Sequence, residues 1–195
     1  MITFVGDVHA KFEEFKRIGD RYPLDLIIQV GDLGLGFADH AVLDHTMGWR
    51  FIRGNHDHPD LAAIHPCYMG DYGYWIDNDL FYASGAYSID SHLRTVGVDW
   101  WGNEELSIAD WYAAIDLYGE MFPKIVVTHD CPTVAAPDYV RYSHRKSRTQ
   151  QALDAMWDTW APELWVFGHH HSHIRSVIKG TQFVGLAELE CYRHP

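Results

Sequence analysis

Five short apolar runs, each followed at once by a polar cluster, constrain the fold of this chain more than any other feature. Phe4-Val5 leads into Gly6-Asp7-Val8-His9, Ile28-Gln29-Val30 into Gly31-Asp32, and Phe51-Ile52-Arg53 into Gly54-Asn55-His56-Asp57. Further on, Val126-Val127 leads into Thr128-His129-Asp130, and Val166-Phe167 into Gly168-His169-His170-His171. Short apolar runs bounded in this way read as buried strands. In open α/β sheets, ligands bind beyond the carboxyl ends of the strands. Clusters far apart in sequence are therefore expected to converge on one rim. In four of them a Gly stands immediately before the polar residue, and glycine lets a chain turn sharply at a strand end.

The remaining pattern is mixed. Phe12, Phe15 and Ile18 repeat at helical spacing, and Leu24–Val30 and Trp49–Arg53 read as strands. This alternation implies parallel pairing with crossover helices. Tyr72–Ile76 and Leu80–Ala83 flank the turn residues Asp77-Asn78-Asp79 and read as an antiparallel hairpin. A helix is expected over Ser107–Tyr118 with Ser107 as its N-cap, and another around Gln150–Trp160. Lys124–Thr128 and Leu164–Phe167 are again strands, and Ile174–Ile178 and Gln182–Leu186 form a last hairpin around Lys179-Gly180. The expected class is mixed α/β (α+β), with two mixed sheets and outer helices. The 195 residues are expected to form a single domain over 1–195.

Composition narrows the function. Hydrophobic residues make up 47%, enough for a packed core and against intrinsic disorder. The net charge of -12 argues against long nucleic acid as a partner, because that requires many phosphates to be neutralised. Cys67, Cys131 and Cys191 are too few and too scattered for a disulfide framework or a CxxC site, which suggests a reducing compartment. With no leader pattern and no apolar run of spanning length, the chain reads as cytoplasmic, with no membrane partner.

The 14 His are the unusual count. Asp, His and Asn at the strand ends are the mixed N/O ligands of Mn, Fe or Zn rather than of a soft thiolate site. In an extended segment, residues two apart point the same way. That pairs Asp7 with His9, and His169 with His171. There are enough ligands for two metals sharing one carboxylate, a recurrent arrangement in phosphoryl chemistry.

The ordered set D-x-H, G-D, G-N-H-D, a lone H and G-H-x-H resembles the calcineurin-like metallophosphoesterases, especially small bacterial and phage members. It runs from residue 6 to residue 171, and the stretch from Ser84 to Trp101 adds to the likeness. The resemblance implies a four-layer α-β-β-α sandwich. It implies that Asp7, His9 and His171 bind one metal, that Asn55, His129 and His169 bind a second, and that Asp32 bridges. His56 would be the catalytic residue acting on the leaving group. The cofactors implied are two divalent ions, Mn2+ foremost, with Fe, Zn, Ni and Co as neighbours.

The chain departs from the protein phosphatases of this superfamily. Their G-D-x-V-D-R-G is replaced by Gly31-Asp32-Leu33-Gly34-Leu35-Gly36, so the Asp that orients the catalytic His and the Arg that helps hold a monoester are both missing. Asp57 becomes the candidate to orient His56. The expected function is hydrolysis of small phosphodiesters, cyclic nucleotides (2′,3′ or 3′,5′) foremost, by attack of a metal-bridging hydroxide. A phosphomonoesterase or nuclease of the same family is the alternative, and a non-catalytic scaffold on the same fold is the alternative of another class. Arg141, Arg145 and Arg148 belong to the one dense basic segment and are candidate substrate contacts. Outside the motifs, His170 and His173 are expected at the surface or beside a ligand, Thr128 and Asp130 as strand-end caps or ligand partners, and Cys131 as a small buried residue.

Overall fold

The computed structural model describes residues 1–40, 43, 48–141 and 146–195. Among them, ten strands form two mixed sheets. The first has β1 (Ile2–Val5), β2 (Leu26–Gln29) and β3 (Trp49–Phe51) parallel, with β10 (Cys191–His194) antiparallel on the outer edge of β1. The second follows the order β4 (Tyr72–Trp75), β5 (Leu80–Ala83), β6 (Ile125–Thr128), β7 (Leu164–Phe167), β9 (Thr181–Gly185), β8 (Ile174–Ile178). Its four inner strands are parallel and its two edge strands antiparallel.

Strand alternation sorts the apolar residues into three buried layers. Phe4, Ile28, Val127, Val166 and Val184 face inward and fill the space between the sheets. Their neighbours Val5, Ile27 and Phe51 face the other way and pack with Phe12, Phe15 and Ile18 of helix α1 (Phe12–Arg21) and Ala62 of helix α2 (Pro59–Ile64). On the second sheet Phe81, Val126, Trp165 and Phe183 pack under helices α3 (Ile108–Met121) and α5 (Arg148–Thr159). The result is a helix–sheet–sheet–helix sandwich, as the resemblance implies. No helix among the described residues is long and apolar enough to cross a membrane.

The cap read at Ser107 is present, and Ser147 supplies one that was not read. Ser107 Oγ accepts from Asp110 N at 3.1 Å and starts α3, and Ser147 does the same for Gln150 N at the start of α5. Four elements among the described residues were not read from the sequence: α2, a 3-10 turn over Ser91–Leu93, the short helix α4 (Asp138–Arg141) and β10. In α2, Pro59 occupies the first turn and His58 accepts from Asp60 N, a start signal without a conventional cap residue.

Candidate active and metal site

The carboxyl ends of β1, β2, β3, β6 and β7 meet on one rim, and the five polar clusters meet with them. Ligand atoms of Asp7, His9, Asp32 and His171 lie within 4.8 Å of one another. His9 Nε2 and His171 Nε2 are 2.9 Å apart, and His171 Nε2 is 3.0 Å from Asp7 Oδ2. On the other side of Asp32, His129 Nε2 lies 3.3 Å from Asp32 Oδ1 and 3.2 Å from Asn55 Oδ1. The His169 ring centroid is 5.1 Å from that of His129. Asp32 thus stands between the two groups. His56 sits above it, with its backbone N–H donating to Asp32 Oδ1 at 2.7 Å.

Backbone strain shapes this rim. His9, Asp32, His169 and His171 all have left-handed φ, between 47° and 64°. Such conformations are uncommon outside glycine, cost on the order of 1–3 kcal/mol each, and concentrate at functional sites. They also correct the pairing argument. His169 and His171 are not on one face of an extended segment. The chain turns between them, so that His171 joins Asp7, whereas His169 lies among His129, His170 and Asp130. The glycines need a correction too. Gly54 and Gly168 have no positive φ, but a Cβ on Gly54 would run into Asp32 Oδ1, and one on Gly168 into Asp7 Oδ1. They are small so that the carboxylates can approach.

The electrostatics are those of a site built for cations. Asp32 Oδ2 and Asp7 Oδ2 are buried without a hydrogen bond, although His171 lies beside the latter. Desolvated carboxylate oxygens are costly unless a positive charge faces them. Burial works against the charged form of Asp32, and the His129 imidazolium overcomes it, holding the carboxyl well below its usual range. Burial likewise opposes protonation of His129, but the facing Asp32 carboxylate wins and pushes its pKa up to about 10. Burial lowers His169 to about 4, and the Asp7 carboxylate 3.0 Å away raises His171. Without metal, protonated imidazole supplies the charge that the carboxylates require. The His129 Nδ1–H donates to Val30 O at 2.9 Å and so aims Nε2 at the site. A divalent ion could replace the proton there, so the residues present fit a metal.

Asp57 does not orient His56. Its buried carboxylate accepts from the amides of Leu33, Gly34, Leu35 and Gly54 at 2.7 to 3.2 Å. It clamps the loop after β2 to the loop after β3. Each hydrogen bond to a charged group is worth about 1.5–3 kcal/mol, and the amides have no substitute acceptor in that position. Asp57→Ala is therefore expected to destabilise the protein by about 3 kcal/mol or more. A denaturant midpoint within error of the parent would refute the clamp.

The partner of His56 is Arg94, which the sequence reading did not select. Its Nη1 is 2.9 Å from His56 Nδ1 and its Nη2 is 3.1 Å from His56 Nε2. Arg94 comes from the loop after β5. Because β5 pairs in parallel with β6, with Ala83 level with Thr128, that loop opens onto the same rim. The same loop carries Ser88, which accepts from Asn55 Nδ2 at 3.0 Å and donates to Glu104 Oε2 at 2.6 Å. With its amide nitrogen held there, Asn55 turns Oδ1 toward His129. Arg53 fixes the loop from below, bonding Asp71 Oδ1 and Glu104 O.

The site opens into a cleft of ≈ 1020 Å³ walled by Tyr87, Ile89, Arg94, Tyr139 and Arg148. Of the basic candidates, Arg148 lines this cleft, with Nη2 3.8 Å from Glu105 Oε2. Arg141 is not among the lining residues, and its Nη2 is spent on the carbonyls of Val134 and Ala136. Arg145 lies outside the described residues. His170 is buried rather than at the surface, 3.0 Å from Asp130 Oδ1. Burial and the nearby Asp130 raise the Cys131 thiol well above its ordinary value, which disfavours the thiolate.

A family description, the calcineurin-like phosphoesterase superfamily domain, matches residues 1–194. The chain belongs to this superfamily. In fold it is similar to the phosphopantetheinyl hydrolase from Mycobacterium tuberculosis, with a TM-score of 0.50 and 12% identity over 96% of this chain and 89% of that one. A conserved uncharacterized protein from Streptococcus pneumoniae TIGR4, described as a predicted phosphoesterase, matches with a TM-score of 0.45 and 15% identity, over 95% of this chain and 72% of that one. None of the curated proteins matches in sequence. Calcineurin-like phosphoesterases are hydrolases that use divalent metals, and the clustered Asp and His groups of this chain are candidate ligands for them.

Proposed function

We propose that the chain is a two-metal phosphodiesterase for small substrates, cyclic nucleotides (2′,3′ or 3′,5′) foremost. The observation that carries the reading is Asp32, a buried carboxylate with Asp7, His9 and His171 on one side and Asn55, His129 and His169 on the other. These seven residues would hold the two ions, Mn2+ first by ligand type. Bound there, the ions would activate water and neutralise charge on the phosphate.

Preference for a diester follows from charge. The cations on the cleft wall are already partnered: Arg94 with Asp90, Arg148 with Glu105 and Lys146 with Asp154. Beyond the metals, little uncompensated positive charge among the described residues could hold a dianion. A monoanionic diester needs less. Of the basic segment, Lys146 and Arg148 line the cleft, which supports Arg148 as a substrate contact. The net charge of -12 speaks against long nucleic acid, and the free cysteines support a reducing, cytoplasmic setting.

The test is kinetic. With Mn2+, kcat/KM for a bis-aryl phosphodiester and for cyclic nucleotides is expected to exceed that for the matching aryl monoester by about tenfold or more, a difference of about 1.4 kcal/mol. A monoester preference would overturn the diesterase reading while leaving the metal ligands in place.

A further inference from the structure

The five N–H donors of Arg94 are distributed unequally. Nε donates to Asp90 Oδ1 at 2.8 Å, Nη2 donates to Asp90 Oδ2 at 2.8 Å, and Nη1 donates to Asp99 O at 3.3 Å. The guanidinium is thereby pinned along one edge, with a side-chain exposure of 14%. The outer edge, one N–H from each Nη, faces the two ring nitrogens of His56. This match is imperfect. Guanidinium only donates, and an imidazole offers at most one acceptor nitrogen. One of the two N–H groups therefore points at a ring nitrogen that cannot accept it. Two oxygens on one phosphorus would satisfy both, because the guanidinium fork matches phosphate geometry in bidentate fashion.

We infer that Arg94 is a substrate-contacting residue whose outer fork binds the two non-bridging oxygens of the phosphodiester, with His56 resting in that place when no phosphate is bound. The inference rests on the phosphoesterase reading and deepens it. Arg94 lines the cleft together with Asp32, Asn55, His56 and His169, so its fork and the proposed metal ligands face one space. Asp90 does two things at once. It fixes the fork, and it cancels the guanidinium charge, so the site supplies directed hydrogen bonds without a surplus of positive charge. That combination suits a monoanion with two free oxygens, and it suits a dianion less.

The experiment measures binding and turnover separately in Arg94→Lys, Arg94→Gln and the parent, each loaded with Mn2+ and assayed for metal content. Inorganic phosphate is the probe for binding, by titration calorimetry. Both variants are expected to keep two metals, to bind phosphate about 10- to 100-fold more weakly, and to show a raised KM for the diester. Lysine should rescue little, since it keeps the charge and loses the fork. Phosphate affinity in Arg94→Lys equal to the parent would overturn the bidentate role. Unchanged affinity in Arg94→Gln would overturn the contact altogether. Loss of metals in both variants would show a structural role instead and would equally overturn it. A parent protein that binds phosphate through Arg94 yet hydrolyses no phosphodiester would support this site while defeating the proposed function.

Discussion

Asp32→Asn is expected to empty both metal positions and to lower turnover on the order of 10³-fold or more. Replacing a residue that merely holds a ligand typically costs 10–100-fold in metal affinity or activity, roughly. Asp32 lies between both groups of proposed ligands, so its loss should cost more. The effect has three readouts. Elemental analysis should fall from two ions per chain toward none. The rise in Tm on adding Mn2+, which reflects selective binding to the folded state, should disappear. Activity should go with them. An Asn variant that kept both ions and its turnover would defeat the bridging assignment.

The same residue sets a pH dependence for the metal-free protein. Asp32 has a folded pKa below its ordinary 3.8, so its contribution to stability is present above that value and is lost as pH falls. His129 has a folded pKa of about 10 against 6.5, so its contribution is full below 6.5 and is lost as pH rises toward 10. Together they stabilise most between about pH 4 and pH 6.5 and progressively less at alkaline pH. Metal works in the opposite direction, because it must displace the His129 proton, so the stabilisation by Mn2+ should grow as pH rises. Asp32→Asn should flatten both trends.

The site was legible because its signal is local. An apolar strand and the polar cluster behind it are adjacent in sequence, and parallel pairing carries each cluster to the same rim. The five clusters could be located on that ground, and the family resemblance picked Asp7, His9, Asp32, Asn55, His56, His129, His169 and His171 out of them. What escaped depends on long-range geometry. Asp57 follows His56 directly, but its acceptor oxygens reach amides 22 to 24 residues away. The left-handed turns at His169 and His171, which send the two rings to different groups, are uncommon outside glycine and have no sequence signature here. Arg94 and Ser88 lie on a loop without periodicity. The clue available was β5, which was read only as half of a hairpin. Its other edge pairs in parallel with β6, so its carboxyl end also faces the site. β10 was missed because its partner β1 lies at the opposite end of the chain.

His56→Ala is expected to keep both metals and to lose about 10²–10⁴-fold in turnover of esters with poor leaving groups, the usual size of a general-acid contribution. The expectation rests on where the ring lies. Its ring lies against that of His9, with centroids 5.3 Å apart, and it borders the cleft without being one of the grouped ligands. A nitrophenolate leaving group hardly needs a proton, so bis-nitrophenyl phosphate should lose much less than an alkyl diester. The pH profile adds an independent check. Burial lowers the His56 pKa below 6.5, with Arg94 adding to the effect against the pull of Asp32. Protonated His56 is then favoured only on the acid side of its ordinary value. The ratio of parent to variant on an alkyl diester should be largest there and should shrink as pH rises. Equal losses for both classes of ester, with a ratio that stays flat across pH, would rule out proton donation. In that case the ring nitrogens beside the Arg94 fork would have a different purpose, holding the guanidinium in register until a phosphate takes their place.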